Sequence, residues 1–157
     1  MPTIQLRVMT RELCHELYKH WTNDASIYMD MHLFQPYVYD EGAVNRYFDT
    51  KGQDASRRLF AIMLGDKVIG ELQLKQIDHD KKECSLSIHM QNDAVKGRGY
   101  GTQAERLAVK TAFDELGMAA VNADTIRKNT RSQHVLEKVG FRFVGEDEAF
   151  KYYRIEQ

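Results

Sequence analysis

The sequence predicts one α/β domain over residues 1–157, built on a mixed, largely antiparallel sheet flanked by helices. Three observations carry this reading. Strand-like segments follow one another closely between Arg58 and Met90, helical stripes alternate with strands after that, and no linker, repeat or low-complexity tract interrupts the order. The 157 residues are 43% hydrophobic and 29% charged, so a chain of this size can bury roughly two-thirds of its unfolded surface without a disulfide or metal.

Ile4 to Met9 alternates apolar and polar residues and reads as a first strand. Thr10 is placed to cap a helix from about Arg11 to Trp21, with Leu13, Leu17 and Trp21 on one face. From Asn23 to Tyr39 the chain is irregular and bulky, with Tyr28, Met29, Met31, Leu33, Phe34, Tyr37 and Tyr39. A second helix follows Asp40 and turns Val44 and Phe48 inward. Strands are predicted at 58–64, 68–77 and 83–90, joined by turns at Gly65-Asp66-Lys67 and His79-Asp80-Lys81-Lys82. A helix over about 102–116 buries Ala104, Leu107, Ala108, Thr111, Ala112 and Leu116, with Gly117 at its C-terminal end. A strand at 119–126 precedes a short helix over 131–139, where Thr130 and Gln133 have capping-box spacing and Gly140 marks the stop. Residues 141–144 and 150–155 form a closing hairpin.

A formal net charge of -1 gives no basic field for nucleic acid. Met1 to Gln5 lacks a signal-peptide pattern and no apolar run approaches the 18 residues of a membrane span, so a cytoplasmic protein without membrane or nucleic-acid partners is expected. Cys14 and Cys84 form neither a disulfide framework nor a C-x-x-C pair, and they read as small buried hydrophobes. No His, Cys or carboxylate spacing suggests a metal; His134 reads as helix surface and His79-Asp80 as a solvated turn.

The segment with chemistry is Lys96-Gly97-Arg98-Gly99-Tyr100-Gly101-Thr102, between a strand and the longest helix. Glycines let several backbone N–H groups converge on one anion, and the helix start adds unpaired N–H groups and a positive dipole end. Lys96 and Arg98 add cationic groups. No lysine stands between Gly101 and Thr102, as a Walker A loop requires, and the position after antiparallel strands does not suit a dinucleotide fold. A second block reads Asn129-Thr130-Arg131-Ser132-Gln133-His134-Val135-Leu136-Glu137-Lys138-Val139-Gly140-Phe141.

Together these blocks resemble the GNAT superfamily of N-acetyltransferases. The first resembles its Gln/Arg-x-x-Gly-x-Gly/Ala pattern with Lys96 in the leading place. The second resembles the Asn-x-x-Ser, Glu-Lys-x-Gly-Phe block of the branch containing ribosomal-protein N-terminal and spermidine acetyltransferases. The resemblance covers nearly the whole chain and is weakest over residues 1–57. It implies a splayed central pair of parallel strands, 83–90 and 119–126, holding acetyl-CoA as cosubstrate. The pyrophosphate would then meet the amides of Arg98, Gly99, Tyr100, Gly101 and Thr102, with Lys96 and Gly97 beside them. The pantetheine arm would run by Met90 and Gln91, with Asn129 and Ser132 near its far end.

The expected reaction is direct attack of a neutral primary amine on the thioester, which needs a base, an oxyanion donor and a partner for the leaving thiolate. His89 is a candidate base because histidine titrates near neutrality and it ends a strand beside the cleft. Glu71 is the other, an isolated acid between Gly70 and Leu72; another residue or an ordered water stays open. A backbone N–H near Met90 would serve the oxyanion. Many superfamily members place an acidic tyrosine seven residues after the motif asparagine, which is Leu136 here. Ser132 is the preferred thiolate partner, and either Tyr152 or Tyr153 could stand in for the missing tyrosine, since neighbours on a strand face opposite ways. Phe34, Tyr37, Tyr39 and Tyr153 are candidate acceptor-binding residues, with Asp30, Asp40 and Glu41 as acids that would attract a cation. The acceptor is a small amine, a polyamine, an amino acid or a protein N-terminus. A non-catalytic CoA-binding domain is the alternative, favoured by Leu136, and pairing of the final strands would give a homodimer.

Overall fold

The computed structural model describes residues 3–25 and 31–157, so Tyr28, Met29 and Asp30 lie outside the described residues. The elements are β1 (Ile4–Val8), α1 (Arg11–Lys19), α2 (Glu41–Gly52), β2 (Arg58–Leu64), β3 (Lys67–Asp78), β4 (Glu83–Met90), α3 (Tyr100–Asp114), β5 (Ala120–Ile126), α4 (Thr130–Val139), β6 (Arg142–Glu146) and β7 (Phe150–Glu156). Their order and type match the sequence reading, and the differences sit at element ends. Helix α1 stops at Lys19 because His20 leaves the helical region, at φ -117° and ψ 15°. Helix α3 starts two residues before the expected Thr102, on Tyr100, with Gly99 at its N-cap in the left-handed region (φ 82°), which glycine adopts without steric cost. The expected Thr130–Gln133 capping box does not form. Asn129 caps α4 instead, accepting from Ser132 N at 3.2 Å, while Gln133 Nε2 donates to the carbonyls of Ile126 and Arg127 at 3.3 and 3.0 Å.

The strands form a seven-stranded sheet among the described residues, in the order β1-β2-β3-β4-β5-β7-β6. Every neighbouring pair is antiparallel except β4 with β5. That parallel pair is registered at Glu83↔Ala120, Cys84↔Val121 and Ser85↔Asn122, all at the N-terminal ends of the two strands.

Each face of the sheet has its own core. On one face Ile69, Leu72, Leu74, Leu86 and Val121 pack with Ala104, Ala108 and Ala112 of α3 and Leu136 of α4. The alanine stripe at i, i+4 and i+8 lets α3 lie close on the strands. On the other face Cys14 and Leu17 of α1 and Val44 of α2 pack with Leu59, Ala61, Met63 and Val68. Both cysteines are buried, as expected, and burial pushes the Cys14 thiol up to about 12 and the Cys84 thiol to about 11.

Candidate active site

Strands β4 and β5 run parallel, so their C-terminal ends, and the N-termini of α3 and α4 that follow, lie at one edge of the sheet. Beyond Ser85 and Asn122 no pairing joins the two strands, and a gap opens toward that edge. The closed end is fastened by side chains. Arg154 donates to Glu83 at 2.8 and 3.2 Å, and Asn122 Nδ2 donates to it at 3.1 Å. These hydrogen bonds, first that of Arg154, hold the Glu83 carboxyl below its ordinary range.

At the open end the chain leaves Met90, makes one 3-10 turn over Asp93–Val95 capped by Asn92, and reaches α3 through two left-handed glycines, Gly97 (φ 72°) and Gly99 (φ 82°). The first helical bond of α3 runs from Gln103 N to Gly99 O at 3.2 Å, so the amides of Tyr100, Gly101 and Thr102 precede it. No acid stands in the first turn of α3 to neutralise its positive end. Arg98 is exposed beside this turn, its Nε donating to Ala94 O at 3.0 Å. Tyr100, 8% exposed, belongs to the core, while its amide is among those that precede the first helical bond.

Several residues expected here have internal partners. Gln91 N donates to Ile69 O at 2.8 Å, its carbonyl accepts from Thr22 N at 3.0 Å, and its buried side chain donates to Leu17 O at 2.8 Å. Its backbone is therefore spent on β3 and the α1 exit, which leaves Met90 as the residue beside the gap. Lys96 is held by Asp24 at 2.9 Å and Asp93 at 3.2 Å, rather than extended toward a phosphate. Asn129 spends its side-chain oxygen on the α4 cap, and Ser132 is half-buried in the first turn of α4. Leu136 is buried in the core. Tyr153 is also a core residue, 3% exposed and edge-on to Phe143 at 5.9 Å. Tyr152 is tied to Asp147, to which its hydroxyl donates at 2.5 Å.

The other face of the sheet carries a polar cluster under α1 and α2. Glu71 and His89 are direct register partners on β3 and β4, so their side chains share a face. Glu71 is 3% exposed. The Tyr18 hydroxyl donates to Oε1, and the Tyr47 hydroxyl lies 2.9 Å from Oε1 and 2.7 Å from Oε2. Gln73 Nε2 donates to the Tyr47 oxygen at 3.0 Å, and Arg57, paired with Asp54, donates to Gln73. Burial, and then the Glu71 charge, push both tyrosine hydroxyls well above the ordinary phenol range, so both remain donors.

His89 is exposed on this face, where neighbouring protein partly desolvates its ring. That desolvation lowers its pKa; Glu71 opposes the shift, and Lys75 and Lys96 add to it. The neutral imidazole is thereby favoured at pH 7. Tyr37 and Tyr39 are half-buried beside the same helices. The Tyr37 ring lies 5.8 Å from that of Tyr18, and the Tyr39 hydroxyl lies 2.5 Å from His15 Nδ1. Phe34 is half-buried, and Asp40 caps α2 through Ala43 N at 3.1 Å.

Sequence reasoning did not single out Tyr18 and Tyr47. Each occupies a place on an inward stripe, beside Cys14 and Leu17 in α1 and beside Val44 and Phe48 in α2. A tyrosine in a core stripe implies a buried hydroxyl that needs a partner. That was the available signal, but Glu71 is 53 and 24 residues away. A surface hollow between β1 and α3, lined by Ile4, Leu6, Leu107 and Thr111, contains none of these residues.

The chain matches the family model for the acetyltransferase (GNAT) domain over residues 3–142. It is 26% identical to a spermidine N(1)-acetyltransferase of Escherichia coli over 148 residues, covering 92% of this chain and 75% of that protein. It is 36% identical over 76 residues to a probable N-acetyltransferase, YjcK, of Bacillus subtilis, a match covering 48% of this chain and 42% of that protein. Among solved structures, a Vibrio cholerae spermidine N-acetyltransferase in complex with CoA and spermine superposes with a TM-score of 0.80 at 18% identity, covering 99% of this chain and 96% of that one. A Campylobacter jejuni N-acetyltransferase, PseH, in complex with acetyl coenzyme A gives 0.66 at 22% identity, covering 74% and 79%. The seven-stranded sheet parted between β4 and β5, the glycine-led start of α3 and the family match agree: the chain belongs to the GNAT acetyltransferase family, whose reaction here is transfer of an acetyl group from acetyl-CoA to an amine.

Proposed function

We propose that this chain acetylates a primary amine of the polyamine class, with His89 as the base and Glu71 as the buried charge that orients the site. The observation carrying this reading is the Glu71–His89 register pair beside the parted strands. The acceptor nitrogen attacks the thioester carbonyl, its proton passes to neutral His89, and the C–S bond breaks. A backbone N–H by Met90 meets the carbonyl oxygen as charge develops. The Ser132 hydroxyl, in the positive first turn of α4, meets the leaving thiolate. The pyrophosphate rests on the first amides of α3 with Arg98 beside it. Half-buried Phe34, Tyr37 and Tyr39 supply the acceptor wall, and the carboxylate of Glu71 favours a cationic acceptor. The polyamine class is supported by the similarity to spermidine acetyltransferases.

Self-association belongs to the same reading. One Vibrio cholerae spermidine N-acetyltransferase structure is dodecameric, and here the edge strand β6 carries exposed Phe143 and Val144. Light scattering across a dilution series would test it, and a monomer at every concentration would end it.

The test of the chemistry is thiol release from acetyl-CoA with spermidine, simple primary amines, amino acids and N-terminal peptides. Polyamines are expected to give the highest kcat/KM, and turnover of peptides alone would sink the acceptor class. His89→Ala should abolish the acid limb of the kcat/KM profile. Because the Glu71 charge raises the His89 pKa, Glu71→Gln should move that limb to lower pH. A limb unmoved in both variants would remove His89 from the role.

A further inference from the structure

The loop that leads into the donor cradle is stitched to the exit of α1. Gln91 Nε2 donates to Leu17 O at 2.8 Å, Thr22 N to Gln91 O at 3.0 Å, and Asn92 Nδ2 to His20 O at 3.3 Å. The seam ends in the Lys96–Asp24 ion pair at 2.9 Å, whose side chains are 14% and 21% exposed. One residue earlier, Asn23 Nδ2 donates to Gln35 O at 2.9 Å, which joins the seam to the segment carrying Phe34, Tyr37 and Tyr39.

Two features separate Lys96 from the phosphate cradle. Its ammonium already faces two carboxylates, Asp24 and Asp93, so a pyrophosphate brought there would meet net negative charge. Its charge is also felt by His89, on the face of the sheet opposite α3. Arg98, by contrast, is exposed beside the α3 start.

We propose that Lys96 is a positioning residue that fastens the acceptor wall to the donor loop through Asp24, and is not a ligand of the coenzyme A phosphates. A partly buried pair is screened less than an exposed one, so it can fix the spacing between the two substrates. The role in acceptor binding rests on residues 34–39 being the acceptor wall; the fastening itself does not.

The test compares Lys96→Met, Asp24→Asn and the charge swap Lys96→Asp with Asp24→Lys. Hydrogen exchange reads the segments 20–25 and 32–39, calorimetry reads CoA affinity, and steady-state rates use spermidine. Both single variants should lose protection by about tenfold over 20–25, with the swap recovering most of it. CoA affinity should stay within about threefold in all three. The spermidine KM should rise about tenfold with a smaller change in kcat.

CoA binding weakened tenfold or more in Lys96→Met with Asp24→Asn unaffected would make Lys96 a phosphate ligand and overturn the proposal. Unchanged protection in Asp24→Asn would also overturn it, and that variant decides if Lys96→Met does not fold. Failure to turn over spermidine would sink the polyamine reading only, since exchange and calorimetry need no acceptor.

Discussion

Glu71 shows how one buried charge organises its neighbours. Its carboxylate lies almost out of contact with solvent, and its hydrogen bonds come from Tyr18 and Tyr47. Hydrogen bonds to a charged group contribute about 1.5–3 kcal/mol, so Tyr47→Phe should lower the unfolding free energy by about that much, measured by urea titration. Tyr18→Phe should cost a similar amount, and the double variant should depart from additivity because both act on one carboxylate.

Glu105 is the opposite case. It is 1% exposed, its Oε1 has no hydrogen-bond partner, and burial pushes its carboxyl up to about 8. An acid whose folded pKa is raised keeps its proton in the folded state while the unfolded chain has lost it. Stability is therefore full below about pH 4.5 and falls as pH rises toward 8. Glu105→Leu should remove that slope and stabilise the protein at pH 7.5 on the order of 3 kcal/mol, read by denaturant titration at pH 5 and pH 7.5. An unchanged slope would show that Glu105 is not its source.

At the scale of elements, the start of α3 joins fold to function. Gly99 holds φ 82° at the N-cap, where a side chain adds strain of roughly 1–2 kcal/mol. Gly99→Ala should therefore weaken CoA binding by about tenfold in calorimetry, because the helix start shifts with the amides it presents. The core stripe of α1 answers to packing instead. Leu17 is fully buried in the cluster beneath α1 and α2, and Leu17→Ala should cost about 2–5 kcal/mol.

Element boundaries were legible where a local signal existed. The β4 segment is marked by alternation, and β2 and β3 by the Gly65-Asp66-Lys67 turn between them. Thr130–Gln133 and Asn129–Ser132 have the same spacing, so spacing alone does not select the cap of α4. Gln133 is drawn away by the Ile126 and Arg127 carbonyls, partners that local spacing did not reveal.

For the whole molecule, one sheet shared by two cores predicts cooperative unfolding, and the donor should stabilise the entire chain. Acetyl-CoA at a hundred times its Kd should add about 2.7 kcal/mol, visible as a rise in Tm that grows with ligand concentration. A Tm independent of acetyl-CoA would remove the cradle as its binding site.

The sequence alone determined the order of elements, the glycines that lead into α3 and the family, because each is written in local spacing: alternation along strands, i, i+4 stripes in α3, and glycines where φ is positive. It also brought forward Glu71 and His89 individually. Only the tertiary structure decided that these two stand opposite each other, that Tyr18 and Tyr47 enclose Glu71, and that Lys96 turns to Asp24 across 72 residues of chain. The physical reason is that a hydrogen bond or ion pair acts over about 3 Å of space, and its partners' separation along the chain leaves no periodic trace in the sequence.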